Sequence, residues 1–188
     1  MTTMTTTQTL APTTGTWVLD PSHTRLGFSA KHAMITTVRG QFEQLEGSLS
    51  LDGNRPQNST ATMRAEAASI TTGNSDRDNH LRSPDFLDVE NHPDVTFTST
   101  GVRYEGGSDF VMTGDLTIKG ESRPVELSVE LEGVSQDPFG NERIGFSGST
   151  VISRKDFGLT WNVALEAGGV LVSDKVKISL DVSAIKQN

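Results

Sequence analysis

Carboxylates that lie close to a histidine are the residues of this chain that could do chemistry. The run from Asp76 to His80 holds two carboxylates and an imidazole, which are ligand types of metal sites. The run lacks the glycine and the final glutamate of an EF-hand loop. Capping of a helix by Asp76 and a solvated position for Asp78 explain these residues better. The sequence therefore predicts no metal ligands.

Two further patterns contain catalytic residue types without the required geometry. Asp20, Ser22 and His23 have the side chains of a hydrolytic triad, but neighbours in an extended chain point to opposite sides. In residues 145–148 the second glycine comes one position too early for a nucleophile elbow. The sequence has no phosphate loop and no dinucleotide fingerprint. We therefore predict no catalytic residue and no enzyme.

The composition is that of an acidic globular domain. The chain has 188 residues, a formal net charge of −8, 34% hydrophobic residues and no cysteine. The acidic balance and the lack of a Lys/Arg cluster argue against nucleic acid as a partner. The absence of cysteine excludes disulfides, thiolate metal sites and cysteine nucleophiles. No required cofactor is predicted.

The N-terminal segment differs from the rest of the chain in its threonine content. It has neither a basic start nor an apolar core, so it does not resemble a secretory signal, and we expect a cytoplasmic protein. Residues 1–15 are predicted to form a disordered tail, and residues 16–188 one domain. No apolar run approaches the roughly 18 residues of a membrane-spanning helix.

Alternation of apolar and polar residues over most of the chain predicts β-strands. Turn-forming residues, such as those at 52–54 and 105–107, separate the strands. A change of phase between Phe42 and Leu45 predicts a bulge in the second strand. The eight predicted strands cover residues 17–32, 38–51, 59–70, 95–104, 110–118, 125–131, 144–152 and 176–182.

One segment, between the third and fourth strands, departs from this pattern and predicts a short helix. The helix ends near Ser83, because Pro84 disfavours helical geometry in the residue before it. Its N-cap is predicted to be Asn74, Ser75 or Asp76. An apolar plug that packs against or over the sheet is predicted from Leu81, Phe86 and Leu87.

The fold predicted from these elements is an all-β, extended, eight-stranded antiparallel up-and-down barrel, similar to a lipocalin. Successive hairpin turns favour antiparallel neighbours, and closure removes unpaired edges. Long strands favour the barrel, because tilted strands travel further around it. A β-sandwich is the competing architecture. The interior is either filled by its own side chains or wide enough for one small ligand.

Short motifs along the chain resemble one known family. In order they are DPSH at 20–23, LGF at 26–28, VRGQF at 38–42, SITT at 69–72, DNHL at 78–81, SPDF at 83–86, HP at 92–93, GDLTIKG at 114–120 and RKDFG at 154–158. Together they make residues 17–185 similar to the YceI-like family, also called polyisoprenoid-binding or lipocalin-like. One departure is His92, where many members of the family carry tyrosine.

The resemblance implies a barrel that holds an isoprenoid quinone, a polyprenyl lipid or a similar long-chain amphiphile for transport, storage or sequestration. A transient contact with a membrane and a homodimer are further expectations. The side chains predicted to contact the lipid are Phe28, Ala30, His32, Phe42, Leu81, Phe86, Phe97, Phe110, Met112, Leu127, Val129, Phe146, Trp161, Ile178 and Leu180.

Alternatives to lipid binding remain open at this point. A filled barrel would act as a stress-related or protein-interaction module, and an enzyme acting on a bound lipid would use His32 or His80 as its base. His32 is either a satisfied core histidine or a contact of the ligand head group. In the long connection after the seventh strand, Arg154, Asp156 and Trp161 can have a structural role, in which Arg154 pairs with Asp156 and the Trp161 ring packs against its neighbours. In the alternative, functional interpretation these residues form a wall of the ligand entrance.

Overall fold

The protein, described here by a computed structural model that covers residues 10–165 and 169–188, forms a closed antiparallel β-barrel of eight strands. Some of these strands are divided into shorter segments. The segments are β1 (Gly15–Leu19), β2 (Arg25–His32), β3 (Thr36–Phe42), β4 (Leu45–Leu51), β5 (Thr60–Glu66), β6 (Ile70–Thr71), β7 (Asp94–Gly106), β8 (Asp109–Ile118), β9 (Glu121–Gln136), β10 (Glu142–Ser153) and β11 (Lys175–Lys186).

The first and last strands close the barrel. Trp17 of β1 lies opposite Leu49 of β4 on one side and opposite Lys186 of β11 on the other. From β7 to β11 each strand pairs with the next in the sequence through an antiparallel ladder. The predicted up-and-down barrel is therefore confirmed, and the β-sandwich alternative is wrong.

The first three predicted strands are each divided in two. Residues 17–32 form β1 and β2, which are separated by a turn that begins at Pro21. Residues 43 and 44 separate β3 from β4, and the Glu43 amide donates instead to the Ser69 carbonyl, so the predicted bulge is a break. A 3-10 turn (Ala67–Ser69) separates β5 from β6.

A short α-helix, α1 (Ser75–Arg82), lies between the third and fourth barrel strands, as predicted, and it is the only α-helix of residues 10–165 and 169–188. Its N-cap is Asn74, whose side-chain oxygen accepts a hydrogen bond from the Arg77 amide at 3.0 Å. The prediction of a solvated Asp78 is wrong: the side chain is buried and accepts from the Thr72 amide at 2.8 Å. Among the described helices, none has the length and apolar character needed to cross a membrane.

A layer of packed side chains fills the end of the barrel where β9 and β11 finish, and we call it the closed end. Its members are Leu10, Trp17, Leu19, Leu131, Ile144 and Ala184. The indole nitrogen of fully buried Trp17 donates to the Thr13 carbonyl at 2.9 Å. Residues 10–15 thus depart from the predicted disordered tail, because Leu10 and Trp17 bury apolar surface there; residues 1–9 lie outside the described residues.

An arginine ties two turns together beside the closed end. Arg143 donates to Asp20 and to Asp137, each at 2.8 Å, and so joins the β1–β2 turn to the β9–β10 turn. These bonds lower the pKa of Asp20, which also bonds His23, and the pKa of Asp137, each to about 2. Both carboxylates are largely buried and remain ionised in mildly acidic solution.

Acid is expected to weaken the fold through these two carboxylates. Because each pKa is lower in the folded than in the unfolded chain, their contribution is complete above a pH of about 4 and disappears as the pH falls toward about 2. Urea unfolding across this range measures the change. The free energy of unfolding should fall less steeply in Arg143→Met than in the wild type, and equal slopes would contradict the prediction.

Candidate functional site

The barrel encloses an elongated cavity of about 270 Å³, which we call the lumen. Aliphatic and aromatic side chains from almost every strand form its wall, with few polar groups such as those of Thr62, Thr96 and Thr150. A cavity with such a lining does not hold ordered water well, because water needs several polar partners. The lumen therefore suits an apolar ligand.

Most of the predicted lipid contacts lie on the lumen wall. The predicted residues that line it are Phe28, Ala30, Phe42, Leu81, Phe86, Phe97, Met112, Leu127, Val129, Phe146, Ile178 and Leu180. Those on strands alternate with outward-facing residues, which is the pattern from which they were predicted. Leu81 and Phe86 reach the lumen from α1 and the segment after it, as an apolar plug over the sheet would.

Three predicted contacts do not line the lumen. His32 alternates in phase with the inward-facing residues of β2, but β2 extends past the barrel rim at this position. The His32 side chain is therefore exposed, and its backbone forms a β-bridge with Val172. Phe110 lies too close to the closed end: it packs against that layer and its ring lies 5.0 Å from the Tyr104 ring. Trp161 lies in the connection after β10, where no alternation predicts which way a side chain points. Its ring packs against Phe86 and His80.

Sequence reasoning also missed part of the wall. The missed residues include Leu19, Leu49, Ala61, Met63, Leu116, Val125, Ile152, Leu159, Val172, Val176 and Val182. For Leu116, Val125 and Val176 the signal was present, because they alternate in phase with predicted contacts on the same strands. Leu159 and Val172 lie in the connection after β10 and carry no periodic signal.

Glycines on neighbouring strands explain why the phenylalanines leave the lumen hollow. The Phe28 ring lies over Gly40 and the Phe97 ring over Gly114, and a Cβ at either glycine would lie 2.4 Å from the ring. The rings therefore pack flat against the wall rather than projecting into the centre. Gly148 leaves further space, because a Cβ there would meet its nearest atom only at 3.6 Å.

The lumen is a blind tube rather than a channel. Its lining on β11 alternates from Val176 to Val182, a distance of six residue steps or about 20 Å along the strand. With the usual tilt of barrel strands, this is a depth of about 15 Å along the axis. Beyond Val182 the closed-end layer, which contains Trp17, fills the cross-section. A ligand must therefore use the opposite end, which we call the covered end.

Residues 17–184 match the YceI-like domain. The chain belongs to the YceI-like family. A UPF0312 protein of Staphylococcus epidermidis is 38% identical over 159 residues, which are 84% of this chain and 90% of the relative. The predicted family membership is confirmed.

Solved structures share the fold of this YceI-like chain. The crystal structure of the Campylobacter jejuni YCEI protein matches with a TM-score of 0.72 and 31% identity, covering 84% of this chain and 90% of that chain. A polyisoprenoid binding domain from Saccharophagus degradans matches with a TM-score of 0.69 and 15% identity, covering 91% of this chain and 98% of the domain. At the latter identity the likeness shows the fold alone.

Two segments of the YceI-like barrel cover the end opposite the closed end. One is α1 with residues 83–93, and the other is made of residues 154–165 and 169–173, which follow β10. They meet where the His80 ring packs edge-on against the Trp161 ring, with centroids 4.6 Å apart. His80 also bonds Asp85 at 2.9 Å and lies against Phe86. This contact joins the two covering segments, which contribute Leu81, Phe86 and Leu159 to the lumen wall.

Arg154 holds the second covering segment in place. The side chain is only 3% exposed and lines the lumen. Its guanidinium donates to four backbone carbonyls, which belong to Leu159, Trp161, Val172 and Ser173 at 2.6 to 3.2 Å. Burial lowers the pKa of Arg154, and the charge of Asp174 opposes this.

The predicted pairing of Arg154 with Asp156 is not formed. Asp156 is exposed, and among the ion pairs of the described residues none includes Arg154. The physical reason is that the guanidinium points inward, where four carbonyls satisfy it and exclude a carboxylate. Arg154 thus organises the wall of the covered end, and its place in a ligand entrance stays a prediction.

The histidines considered as bases lie outside the lumen. Neither His32 nor His80 is on its wall. At the closed end, Asp20 and His23 do meet, at 2.7 Å, because residues 20–23 form a turn rather than an extended strand. Ser22 contributes only its backbone amide, and Asp20 is shared with Arg143. The expectation that these residues cannot converge was wrong, but they do not form a triad.

Proposed function

We propose that the protein binds a long-chain isoprenoid, or a similar amphiphile, with the apolar chain in the lumen, and that it carries, stores or sequesters this lipid. The observation that supports the proposal best is the lumen itself: a blind apolar tube that the protein's own side chains leave unfilled. The polyisoprenoid binding domain of Saccharophagus degradans, which shares the fold, also favours this class of ligand.

The energetics favour reversible loading. Each CH₂ group moved from water into an apolar environment contributes about 0.8 kcal/mol. A lipid in a membrane is already out of water, so its transfer to the lumen has a net free energy close to zero. Binding of this kind keeps the lipid in solution while the protein carries it and lets the lipid return to a membrane. No energy source is needed for either step.

The direct test is extraction of the purified protein with organic solvent, followed by mass spectrometry. A long-chain amphiphile in near-stoichiometric amount is expected in repeated preparations. Protein freed of lipid is then titrated with farnesol and with hexadecanol, which separates a preference for branched isoprenoid chains from general chain binding. Repeated absence of any amphiphile, together with no uptake of either alcohol, would favour the protein-interaction module instead.

A further inference from the structure

An exposed apolar patch lies at the covered end of the barrel, and we call it the tip patch. It consists of Met34, Ile35, Val163 and Val170. Ile35 is 83% exposed and Met34 is 62% exposed, which is unusual for side chains of this size at adjacent positions. They form the tip of the β2–β3 hairpin, and the two valines belong to the segment that follows β10.

Hydrogen bonds join the two parts of the tip patch to each other and to the lumen rim. The Ala33 amide donates to the Leu171 carbonyl at 2.7 Å, and the Leu171 amide donates to the Val163 carbonyl at 2.9 Å. The next residue, Val172, lines the lumen and bridges to His32. The patch is therefore continuous with the structure that covers the lumen.

The turn at the hairpin tip has a conformation that its residues do not favour. Ala33 and Met34 have φ values of 50° and 65°, and the Ile35 amide closes the turn on the His32 carbonyl at 3.3 Å. Turns with two consecutive positive φ values usually contain Asn-Gly. Strained positions persist where the protein requires them, commonly at functional sites. Here a methionine occupies such a position at the exposed tip.

The charge of the hairpin differs from that of the whole chain. Residues 29–39, the half of the hairpin next to the tip, contain Lys31 and Arg39 but no Asp or Glu, although the chain has a formal net charge of −8. Arg25 lies at the far end of β2, opposite Asp181. Lys31 is exposed directly beside the tip. Apolar side chains flanked by cations are suited to the interface of a bilayer that contains anionic lipids.

We propose that the tip patch docks on a lipid bilayer containing anionic lipids and so places the covered end where a lipid can enter or leave the lumen. This inference rests on the proposed function, because a carrier of membrane lipids needs a surface that meets the membrane. Met34 and Ile35 insert among the headgroups, and Lys31 beside them faces the negative surface.

Vesicle co-sedimentation tests the proposal with the full chain. Wild-type protein is expected to bind vesicles of phosphatidylcholine mixed with phosphatidylglycerol, and binding should weaken as salt is added. Met34→Gly combined with Ile35→Ser should reduce binding at least about tenfold, since two apolar contacts are lost. Glycine suits the positive φ of the turn, so this variant should fold as well as the wild type.

A matched control uses the other end of the barrel. Phe139 is 88% exposed in the β9–β10 turn, beside the closed end, and Phe139→Ser is expected to leave vesicle binding unchanged. Equal binding by the tip variant and the wild type overturns the proposal. A wild-type dimer that the tip variant dissociates, without vesicle binding by either protein, also overturns it and assigns the patch to a second copy of the chain.

The two proposals fail in distinguishable ways. If the extracted wild-type protein contains lipid but its vesicle binding does not depend on Met34 and Ile35, docking through the tip patch is wrong and the lumen proposal stands. If the protein binds vesicles through these residues but never takes up farnesol or hexadecanol, the membrane contact stands and the proposed function is wrong.

Discussion

A Leu127→Asp variant is expected to remain folded and to lose nearly all of its bound lipid. Leu127 lies on β9, faces the lumen and pairs with Met112 across the neighbouring strand. A carboxylate at this position draws water into the lumen, because a charge without a partner is very costly in an apolar cavity. An apolar chain would have to displace that water, so retention should fall by more than tenfold.

The readout is the amount of amphiphile that organic solvent recovers per mole of protein. Circular dichroism and thermal unfolding confirm that each variant is folded. Phe28→Asp, on β2, should lose its lipid in the same way. The matched control is Val151→Asp, which adds the same charge at a position that is 61% exposed on β10. Normal retention by a folded Leu127→Asp protein would show that the lumen does not hold the lipid.

A second variant separates loss of volume from introduction of charge. Gly148 lines the lumen and has an ordinary backbone φ, and a Cβ there would lie 3.6 Å or more from its nearest neighbours. Gly148→Leu should therefore fold without strain and place its side chain in the lumen. We expect several-fold less retained lipid, and no change in Val151→Leu. If only the aspartate variants lost lipid, charge rather than occupancy of the lumen would explain the effect.

Strand parity carried most of the information about the lumen that the sequence contains. Because successive side chains alternate between faces, residues such as Met112, Leu127 and Ile178 could be placed on the inner face from the pattern alone. Parity does not give the position along the barrel axis. His32 and Phe110 have the inward parity, yet one lies beyond the rim and the other beside the closed end.

The hollow itself depends on contacts between strands that are far apart in the sequence. Large aromatic residues suggested a filled interior as readily as an open one. The outcome is decided by Gly40 under the Phe28 ring and by Gly114 under the Phe97 ring, each on a neighbouring strand. Register between strands fixes these pairs, and register follows from closure of the whole barrel rather than from any local pattern.

The two ends of the barrel were the least predictable parts. Leu10 stands in a threonine-rich segment that indicates disorder, but Trp17 and its neighbours provide an apolar surface that Leu10 covers. Residues 154–173 lack periodicity, so neither the burial of Leu159 nor the contacts of Trp161 could be derived. In both segments a tertiary contact, not a local preference, determines the conformation.

Arg154→Met is expected to lower the free energy of unfolding far more than the same substitution of Arg64, an exposed arginine that makes two ion pairs. The substitution removes the donor of the Leu159, Trp161 and Ser173 carbonyls. The Val172 carbonyl keeps the side-chain amide of Asn162 as a donor, at 2.8 Å. A buried acceptor without a partner lowers the free energy of unfolding by about 1–3 kcal/mol, and some of these carbonyls will form a hydrogen bond with water instead. The expected decrease in the free energy of unfolding is therefore at least about 3 kcal/mol.

Arg64 provides the control for this prediction. It bonds Glu46 at 2.7 Å and Asp94 at 2.6 Å, so a count of salt bridges would rank it above Arg154. The side chains of Arg64, Glu46 and Asp94 are all well exposed, and water screens the attraction between exposed charges. Urea unfolding of Arg64→Met should differ little from the wild type. Equal losses of stability in the two variants would contradict the role assigned to Arg154.

Ligand exchange distinguishes a role in the covered end from a general role in folding. Because the Arg154 guanidinium holds the Trp161 carbonyl, its loss should release the contact between Trp161 and His80 that joins the two covering segments. We expect a bound fluorescent alkyl chain to dissociate several-fold faster from Arg154→Met under conditions where the variant is still folded. Trp161→Ala should accelerate dissociation with a smaller loss of stability, because the four carbonyls keep their donor. An unchanged dissociation rate in both variants would mean that lipids reach the lumen by another route.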